Sequence, residues 1–575
     1  MPKKIVIIGA VALGPKVACR ARRMDPDAEI LMLDKDSNIS YGGCGIPYYV
    51  SGDIPDVKEL SSTIYHATRD ESFFRSTKRV EVRTNVEALA IDRKNKTVRV
   101  HDIKTGTVED IPYDILVLGT GSTAVIPPIP GADLPGVTAI SNLHHAVEIK
   151  KKIAKGEVES AVVVGGGAIG LEMAEALTVL WGVKTTLVEM QEQLLPVAVG
   201  PDLAGIIRRY LEKNEVKVLT GDCVSKIIGN QKSGVTGVET GAGFIPCQLI
   251  IFAIGVRPNT HLAREAGLAI GSFGGILVDR RMRTSDPNIF AGGDCVEVQH
   301  QITGQRVILP LGSLANRQGR VIGTNVSGGN EQWRGAVGTL CLKVFDLGIA
   351  RAGLTTAQAI GAGFDAVDAL IAGSDKAHFY PGHKPMFIRL IADRKTRRVL
   401  GIEAVSENGD AVKARVDAVA ALLSHGVCVD EISNLEVGYA PPFASAMDIV
   451  NAAANALENV LDDRGEAINV LEFLDQLDSP DLRVLDVRTR IEAEPYVNKY
   501  GKRWQNIPLD ELQERLGEIP TDEPLIVICS SGVRSFEAQV LLRQKGIANV
   551  KNVQGGTALV ELLKDVNMRN MRVTS

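Results

Sequence analysis

The sequence predicts an α/β protein built around two Rossmann-like nucleotide-binding domains. Each domain is indicated by a short apolar strand that runs directly into a glycine-rich turn and then into a helix. The first turn spans residues 9–14 and the second spans residues 165–170. In each case an acidic residue closes the next apolar strand, about twenty residues further on. Strands that alternate with helices in this way form parallel sheets covered by helices.

The second turn carries the more complete fingerprint of a dinucleotide site. Gly165, Gly167 and Gly170 follow the apolar run 161–164 and open a helical stretch. In such a turn the backbone N–H groups and the helix dipole face a pyrophosphate. Glu189 ends the next apolar strand, 19 residues after Gly170, where an acid can bind the ribose hydroxyls. No arginine follows it to bind a 2′-phosphate, so we predict NADH as the cofactor, with NADPH as the alternative.

The first turn has the same layout with one departure. Gly9 and Gly14 are present, but Val11 stands where the middle glycine is expected. Asp34 closes the next strand, 20 residues after Gly14, again in the ribose position. A distant apolar segment ends in Gly-Gly-Asp and would bring Asp294 to a ribityl hydroxyl. We call each glycine-rich turn, together with its strand, helix and acid, a cradle. Two cradles imply two cofactors, most simply FAD in the first and a nicotinamide in the second.

Composition agrees with a multi-domain enzyme. The 575 residues carry a net charge of −5 without a long Lys/Arg block, which argues against nucleic acid as a partner. No apolar run approaches a membrane span, and the first apolar stretch is typical of a strand and not of a signal peptide. The eight cysteines lack paired spacing, so we expect a cytoplasmic protein with neither a disulfide framework nor a metal site.

A cysteine-containing segment, Ser-Tyr-Gly-Gly-Cys-Gly-Ile-Pro-Tyr, starts at Ser40. The order of first glycine turn, Thr120–Gly121 segment, second glycine turn and Gly-Gly-Asp strand resembles the FAD-dependent pyridine nucleotide-disulfide oxidoreductases, over about residues 1–450. Dithiol members carry two cysteines in this segment, whereas this chain has Ser40 and only Cys44. That pattern resembles the coenzyme A-disulfide reductase branch, which also contains NADH oxidases and peroxidases. The resemblance implies that Thr120 and Gly121 contact the flavin.

Cys44 is the predicted catalytic nucleophile. It follows a glycine-rich bend and precedes Gly45 and Pro47, so we expect it at a helix N-terminus whose dipole lowers the pKa of the thiol. With no second cysteine nearby in the sequence, its oxidised state must be a mixed disulfide, a persulfide or a sulfenic acid. The substrate is thereby narrowed to a sulfur–sulfur or an oxygen–oxygen bond. A buried structural cysteine is the alternative.

The resemblance also implies roles for two tyrosines. Tyr439 opens a segment similar to the dimerisation domain of that branch, where a tyrosine replaces the acid/base pair of glutathione reductase relatives. Tyr380 is implied to lie near the same site. Since the C-terminal domain of such enzymes caps the partner's active site, a homodimer is expected. Either tyrosine could equally be a packed interface residue.

The region 467–575 resembles a single rhodanese domain. Its loop starts at Cys529 and ends at Arg534, between an apolar strand and a helix. Such a loop directs backbone N–H groups at a sulfur anion, so Cys529 and Arg534 are predicted to be catalytic. A phosphatase loop has a longer spacing than the four residues between them, which favours sulfur over phosphate. An inactive rhodanese scaffold is the alternative.

The basic cluster after the first turn is a candidate coenzyme A site. Arg20 and Arg23, with Arg22 between them, could clamp the phosphates of coenzyme A. The resemblance adds Ser40, close to Cys44, as a further coenzyme A contact. A solvated helix face is the alternative for the arginines.

Together these features predict an NAD(P)H-dependent flavoprotein that reduces coenzyme A persulfide, coenzyme A disulfide or polysulfide through Cys44. The rhodanese domain would handle sulfane sulfur on Cys529. One alternative is an NADH peroxidase or oxidase that cycles a sulfenic acid on Cys44. Another is a C-terminal domain that binds sulfur or docks a partner without catalysis.

The predicted organisation follows from these assignments. A discontinuous FAD-binding domain covers 1–144 and 256–330, and the NAD(P)H-binding domain lies between its halves. The remaining boundaries are 145–255 for the NAD(P)H-binding domain, 331–455 for an α/β dimerisation domain, 456–466 for a linker and 467–575 for the rhodanese-like α/β domain.

Overall fold

The computed structural model describes residues 2–520 and 523–566. The predicted α/β class is confirmed, with parallel and antiparallel sheets and intervening helices. The chain forms two compact units, one from Met1–Met190 with Glu215–Ala336 and one from Gln191–Asn214 with Val337–Ser575. The last part of the predicted rhodanese-like domain, 567–575, lies outside the described residues. Among the residues described, none of the helices combines the length and apolarity needed to cross a bilayer.

The first unit contains a five-stranded parallel sheet. Its central strand, Lys4–Ile8, is almost entirely apolar because both of its faces are covered, as is usual in parallel sheets. The helices Leu13–Met24 and Gly312–Val326 pack closely together, since a Cβ on Gly319 would lie 2.9 Å from the Cβ of Lys16. In sheet order the strands are Ile289–Ala291, Ile115–Leu118, Lys4–Ile8, Glu29–Asp34 and Glu81–Thr84.

A second five-stranded parallel sheet in the same unit surrounds the strand Ser160–Val164. The helix Ala168–Thr178 follows that strand directly after the second glycine turn. An edge strand, Val137–Ala139, comes from the segment that the sequence assigned to the FAD-binding domain. In sheet order the strands are Lys217–Thr220, Lys184–Glu189, Ser160–Val164, Leu249–Phe252 and Val137–Ala139.

Smaller elements complete the first unit. The helices are Ile46–Ser51, Glu71–Phe73, Leu143–Ala154 and His261–Glu265. The small sheets consist of Val86–Asp92, Thr97–Asp102 and Val108–Pro112; Val224–Asn230, Gly234–Thr240 and Gly243–Pro246; Ser122–Ala124 and Val256–Pro258; and Ile276–Leu277, Val296–Gln299 and Arg306–Val307.

The second unit contains a five-stranded antiparallel sheet. The helix Ile449–Leu461 buries Leu457 and continues into the segment predicted as a linker, 456–466. In sheet order the strands are Leu340–Val344, Leu347–Gly353, Val399–Ser406, Pro385–Asp393 and Ala366–Ser374. The helices of this part are Pro201–Lys213, Thr356–Gly361, Gly409–Leu423, Val429–Ser433 and Ile449–Leu461.

A buried ion cluster explains why 191–214 belongs to the second unit, although the sequence placed it within the NAD(P)H-binding domain. The buried Arg389 guanidinium donates a hydrogen bond to Asp202, which lies in the helix Pro201–Lys213. It also lies 3.2 Å from an Asp368 oxygen and 3.5 Å from a Glu403 oxygen. Buried charges persist only when they are paired, so Asp202 holds this helix in the second unit.

The second unit ends in a five-stranded parallel sheet. The side chain of Asn469 donates a hydrogen bond to Asp202 at 3.2 Å, which connects this part to the same ion cluster. In sheet order the strands are Glu466–Ile468, Val550–Val553, Leu525–Ile528, Val484–Asp486 and Trp504–Asn506. The helices are Val470–Gln476, Arg490–Tyr500, Val533–Gln544 and Gly556–Leu563.

We predict that Arg389→Ala strongly destabilises the protein, because it leaves the buried Asp202 and Glu403 and the half-buried Asp368 without their cation. The expected loss in the free energy of unfolding is about 3–5 kcal/mol, measured by urea denaturation followed by circular dichroism. Arg394→Ala is the matched control: Arg394 lies 3.7 Å from Asp463 at the surface, and its loss should cost less than about 1 kcal/mol. Equal denaturation midpoints for the two variants would contradict this role of Arg389.

Candidate active site

The first glycine turn brings its predicted residues together at the carboxyl edge of the first sheet. Gly9 has φ +103°, and a Cβ there would lie 2.1 Å from the carbonyl oxygen of Gly119, so only glycine fits. A Cβ on Gly14 would lie 2.0 Å from the Gly9 carbonyl oxygen. Half-buried Val11 lies between them. The Asp34 carboxylate accepts a 2.7 Å hydrogen bond from the backbone N–H after Gly9, and burial raises the pKa of Asp34.

The second glycine turn repeats this arrangement. Gly165 has φ +109°, and a Cβ there would lie 2.5 Å from the carbonyl oxygen that follows the strand Leu249–Phe252. A Cβ on Gly170 would lie 1.9 Å from the Gly165 carbonyl oxygen, whereas Gly167 has no atom within 4 Å of that position. The buried Glu189 carboxylate accepts a 2.5 Å hydrogen bond from a backbone N–H of the turn. Both turns therefore fit the close approach of a dinucleotide backbone.

Asp294 and the Thr120–Gly121 segment lie next to each other near the first turn. The Asp294 carboxylate accepts a hydrogen bond from the Ser122 hydroxyl at 2.9 Å, and burial raises the pKa of Asp294. The Thr120 hydroxyl donates to the carbonyl of Asn259 at 2.6 Å, and Gly121 has φ +65°. These contacts hold Asp294 beside the segment that the sequence assigned to flavin binding.

Gln318 supports the same region and was not among the residues predicted from the sequence. Its side-chain oxygen accepts a hydrogen bond from the Gly293 N–H at 2.7 Å, directly before Asp294. In the sequence, Gln318 lies on the same helix face as the apolar residues Leu314 and Val321. A polar residue at such a buried position was the sign that could have identified it.

Cys44 lies in a single 3-10 turn, Gly43–Gly45, directly before the short helix Ile46–Ser51. The residue is exposed to solvent, although surrounding atoms partly bury its thiol. A Cβ on Gly312 would lie 3.7 Å from the Cys44 sulfur, so the first residue of the helix Gly312–Val326 faces the thiol. The thiol is therefore reachable and close to two helix N-termini.

The chain's own groups raise the pKa of the Cys44 thiol, which opposes the lowering expected from a helix dipole. Partial burial is the largest cause, and the carboxylates of Glu172 and Asp294 raise the pKa further. The helix that follows Cys44 has only six residues, so its dipole is small compared with two nearby acids. At neutral pH the raised pKa reduces the fraction of Cys44 that is thiolate.

Glu172 is a second titratable group of this site that the sequence did not reveal. It lies on the helix Ala168–Thr178, where burial and the neighbouring Glu175 raise its pKa to about 7, against a hydrogen bond with Tyr48 that lowers it. A carboxyl group with such a pKa can give or take a proton at neutral pH. In the sequence, Tyr48 ends the segment that begins at Ser40, and Glu172 lies two residues after Gly170; this proximity was the available signal.

The three arginines of the basic cluster after the first turn differ in their contacts. The Arg20 guanidinium donates to the Thr324 hydroxyl at 3.0 Å. The Arg22 guanidinium donates to the carbonyl of Arg79 at 2.6 Å, which commits it to the protein backbone. Arg23 is exposed in the last turn of its helix. Arg23 is therefore the member with the most freedom to meet a ligand.

Ser40 ties the cysteine segment to the first glycine turn. It is 4% exposed, and its N–H donates to the Ala10 carbonyl at 2.7 Å. Its φ of 49° lies in the left-handed region, which is uncommon outside glycine. The backbone of Ser40 thus positions the segment that leads to Cys44, and its buried side chain has little surface for a direct contact.

The two predicted tyrosines lie in the second unit on an exposed apolar face. Tyr439 is 52% exposed and Tyr380 is 38% exposed. Their segments are joined by a 3.3 Å hydrogen bond from the Ala377 N–H to the Pro441 carbonyl. We define this exposed apolar face by its five large side chains, Phe379, Tyr380, Tyr439, Phe443 and Met447.

Cys529 begins the loop at the end of the strand Leu525–Ile528 and is only 1% exposed. Its sulfur accepts a 3.1 Å hydrogen bond from the Gly532 N–H and lies 3.2 Å from the Ser535 hydroxyl. Gly532, with φ +107°, directly precedes the helix Val533–Gln544. A sulfur anion in this position is stabilised by the N–H group and by the start of the helix.

The rest of the loop is held by a second helix and by Arg534. A Cβ on Gly556 would lie 2.4 Å from the Cys529 carbonyl oxygen, so the helix Gly556–Leu563 can approach only because this residue is glycine. The Arg534 guanidinium, predicted to be catalytic, is hydrogen-bonded to Glu492.

Comparison with known protein families accounts for most of the chain. The model described as pyridine nucleotide-disulphide oxidoreductase matches residues 3–319, and the model of the dimerisation domain of that family matches residues 341–450. The rhodanese-like domain model matches residues 469–561. The chain therefore belongs to the pyridine nucleotide-disulphide oxidoreductases and is an oxidoreductase with a fused rhodanese-like domain. The family resemblance predicted from the sequence is confirmed.

Individual relatives narrow the comparison. A solved structure of an NAD-dependent persulfide reductase from A. fulgidus has a TM-score of 0.90 and 37% identity, covering 97% of this chain and 99% of that one. An NADH oxidase of Methanocaldococcus jannaschii is 36% identical, over 78% of this chain and 98% of its own length. A CoA-dependent NAD(P)H sulfur oxidoreductase of Pyrococcus abyssi is 34% identical, over 79% and 98% respectively.

We predict that alanine substitutions in the two glycine turns separate the two cofactor sites. Gly9→Ala forces a Cβ against the Gly119 carbonyl and should yield protein with little bound flavin. Gly165→Ala should retain flavin but lower kcat/KM for NADH by about a hundredfold, the cost of a small misplacement at a reacting site. Flavin absorbance of the purified protein and steady-state kinetics measure the two effects.

Gly361→Ala is the control, because no atom lies within 4 Å of its added Cβ. It should change neither quantity. Equal flavin loss from the Gly9→Ala and Gly165→Ala variants would show that the two turns do not serve separate cofactors.

Proposed function

We propose that this oxidoreductase uses FAD and a nicotinamide to reduce coenzyme A persulfide, coenzyme A disulfide or polysulfide at Cys44. One observation carries the proposal: carboxylates from both nucleotide-binding regions, Glu172 and Asp294, act electrostatically on the Cys44 thiol. The thiol is therefore near both cofactor cradles, and it can attack a sulfur–sulfur bond. The names of the A. fulgidus and P. abyssi relatives, a persulfide reductase and a CoA-dependent sulfur oxidoreductase, support this substrate class.

The described residues fit the proposed cofactors. The first turn and the groups around it would hold FAD, and the second turn would hold NADH. When bound, the flavin relays two electrons from the nicotinamide to the sulfur on Cys44. The residues proposed for FAD are Gly9, Val11, Gly14, Asp34, Thr120, Gly121 and Asp294, and those for NADH are Gly165, Gly167, Gly170 and Glu189.

Glu189 would also select the nicotinamide. A carboxylate in the ribose position accepts hydrogen bonds from the 2′- and 3′-hydroxyls and repels a 2′-phosphate. Glu189 is buried and aligned by a backbone N–H of the turn. We therefore propose a preference for NADH over NADPH.

In the proposed cycle the Cys44 thiolate attacks the coenzyme A-bound sulfur of a persulfide. A bond forms between that sulfur and Cys44, the persulfide sulfur–sulfur bond breaks, and hydrosulfide leaves. Two electrons and one proton then cleave the mixed disulfide, which frees the coenzyme A thiol and returns the Cys44 thiolate. Glu172 can hold the proton near neutral pH, while Tyr439 or Tyr380 is the donor that the family resemblance implies.

The coenzyme A moiety would be bound by the basic cluster. Arg20 and Arg23 are proposed to meet its phosphates, because guanidinium groups bind phosphate through paired N–H donors. Ser40 would contribute mainly by positioning the segment that carries Cys44, since its side chain is nearly buried.

A peroxidase or oxidase cycle is the second candidate. The M. jannaschii relative is named an NADH oxidase, and the exposed Cys44 thiol could react with peroxide to give a sulfenic acid. The rhodanese-like domain favours a sulfur substrate, because a cycle that reduces oxygen or peroxide gives the Cys529 loop no role.

We propose that Cys529 carries sulfane sulfur. We also propose that the protein works in a reducing cytoplasm, as its eight free cysteines suggest.

The exposed apolar face is proposed to join two copies of the chain. It lies within the part that matches the family's dimerisation domain, and exposed aromatic clusters of this kind mark protein interfaces. We predict that Phe443→Asp, which puts a charge on this face, converts a dimer into a monomer at micromolar concentration in sedimentation velocity.

Ile491→Asp serves as the control for the dimer, because Ile491 is also highly exposed but lies in the rhodanese-like domain. It should leave the dimer intact. A native chain that sediments as a monomer would contradict the proposed homodimer.

The proposed reaction is tested by anaerobic NADH oxidation against coenzyme A persulfide, coenzyme A disulfide, polysulfide and hydrogen peroxide. Cys44→Ser should lower turnover of the sulfur substrates by about a thousandfold or more, as loss of a catalytic nucleophile does, and should abolish sulfide release. NADPH in place of NADH should give a lower kcat/KM.

Cys341→Ser is the matched control, since Cys341 is an exposed cysteine remote from these motifs in the sequence. It should keep full activity. Turnover confined to hydrogen peroxide would favour the sulfenic acid cycle and refute sulfur reduction.

A further inference from the structure

The loop 529–534 contains one charged side chain, Arg534. In a loop that receives sulfur anions, a free guanidinium is the group that would recognise a charged oxyanion, because its N–H donors match the oxygen atoms in pairs. The contacts of Arg534 therefore bear on which sulfur donors the loop accepts.

Glu492 binds the Arg534 guanidinium through two hydrogen bonds. One Arg534 nitrogen donates to Glu492 Oε1 at 2.9 Å and the other donates to Oε2 at 3.1 Å. The Ser530 hydroxyl completes the arrangement, because it accepts from Arg534 at 2.7 Å and donates to Glu492 at 3.0 Å. The single cation of the loop is thus neutralised by a bidentate carboxylate.

Glu492 is itself held in place by its helix. It is the third residue of the helix Arg490–Tyr500 and forms a capping box, in which it accepts from the Thr489 N–H at 3.0 Å and from the Thr489 hydroxyl at 2.8 Å. The Arg534 hydrogen bonds are the largest cause that holds the pKa of Glu492 well below its ordinary value. Glu492 therefore stays negatively charged at physiological pH.

The hydrogen bonds to the Cys529 sulfur, in contrast, come from neutral groups, and the Arg534 cation acts on it without a direct hydrogen bond. The neutral groups are the Gly532 N–H at 3.1 Å and the Ser535 hydroxyl at 3.2 Å. A transferred sulfur atom of low charge needs no more than such donors. A dianion such as thiosulfate would face the Glu492 carboxylate without a free cation to balance it.

We propose that the Glu492–Arg534 pair sets the donor specificity of Cys529, admitting thiol persulfides and disfavouring dianionic donors such as thiosulfate. The inference rests on the proposed role of Cys529 as a sulfur carrier. In the accepted reaction the Cys529 thiolate attacks the terminal sulfur of R–S–SH. The new bond to Cys529 forms as the R–S–S bond breaks, the thiolate R–S⁻ leaves with that electron pair, and the proton stays on the transferred sulfur.

The test uses the full-length chain without NADH and with cyanide as sulfur acceptor, and it measures thiocyanate. Glu492→Gln removes the charge but keeps the capping box, because glutamine serves at that position as well. We expect kcat/KM for thiosulfate to rise by about tenfold or more, the scale of one hydrogen bond to a charged group. The value for glutathione persulfide should stay within about threefold.

Glu494→Gln is the matched control, because it makes the same charge change at an exposed position of the same helix. It should alter neither donor, and circular dichroism should show that both variants are folded. An unchanged thiosulfate rate in Glu492→Gln, or an equal change for both donors, would overturn the inference.

Thiocyanate formation no higher than in Cys529→Ser, for both donors and in both the native chain and Glu492→Gln, would also overturn it. That result would remove the carrier role of Cys529. Reduction at Cys44 would be unaffected, since NADH oxidation measures it separately.

Discussion

The carboxyl edge of the parallel sheets is the constraint on which each candidate site depends. Three buried strands, Lys4–Ile8, Ser160–Val164 and Leu525–Ile528, end in a turn that leads into a helix. Because the first N–H groups of a helix lack partners within it, each turn presents donors to a negative group. In the proposed function two turns receive a pyrophosphate and the third receives the Cys529 sulfur. Asp34 and Glu189 lie at the ends of the neighbouring strands. Because parallel strands end at the same edge of the sheet, both carboxylates lie beside the turns.

The Cys44 region shows how acidic groups offset this pattern. Two carboxylates of the first unit, Glu172 on the helix Ala168–Thr178 and Asp294 in the turn after the strand Ile289–Ala291, both disfavour the thiolate. A thiol in such surroundings stays protonated until another group at the site stabilises its anion. Burial and Glu175 raise the pKa of Glu172 to about 7, so its own charge changes near neutral pH. The charge state of Cys44 thus depends on carboxylates that lie beside both glycine turns.

In the second unit, ion pairs join residues that lie far apart in the chain. Arg389 holds the helix Pro201–Lys213 through Asp202, although that helix is remote in sequence and was assigned to another domain. Glu492 likewise binds the guanidinium of Arg534, which is 42 residues away in the chain. From the sequence alone, the loop 529–534 would carry a free cation, whereas in the structure that cation is paired. In both cases a carboxylate that was not singled out from the sequence fixes the position of an arginine far from it in the chain.

By itself the sequence determined the glycine turns with the strands before them, their acids and the two cysteine loops, because each depends on spacing within a few dozen residues. Gly9 and Gly165, for example, are required by a backbone that turns sharply at a strand end. Only the tertiary structure decided the direction of the Cys44 pKa shift, the support of Gly293 by Gln318, the membership of 191–214 and the pairing of Arg534 with Glu492. These features join residues far apart in the chain, and their energies depend on burial and on distances between charges, which no local pattern of residues encodes.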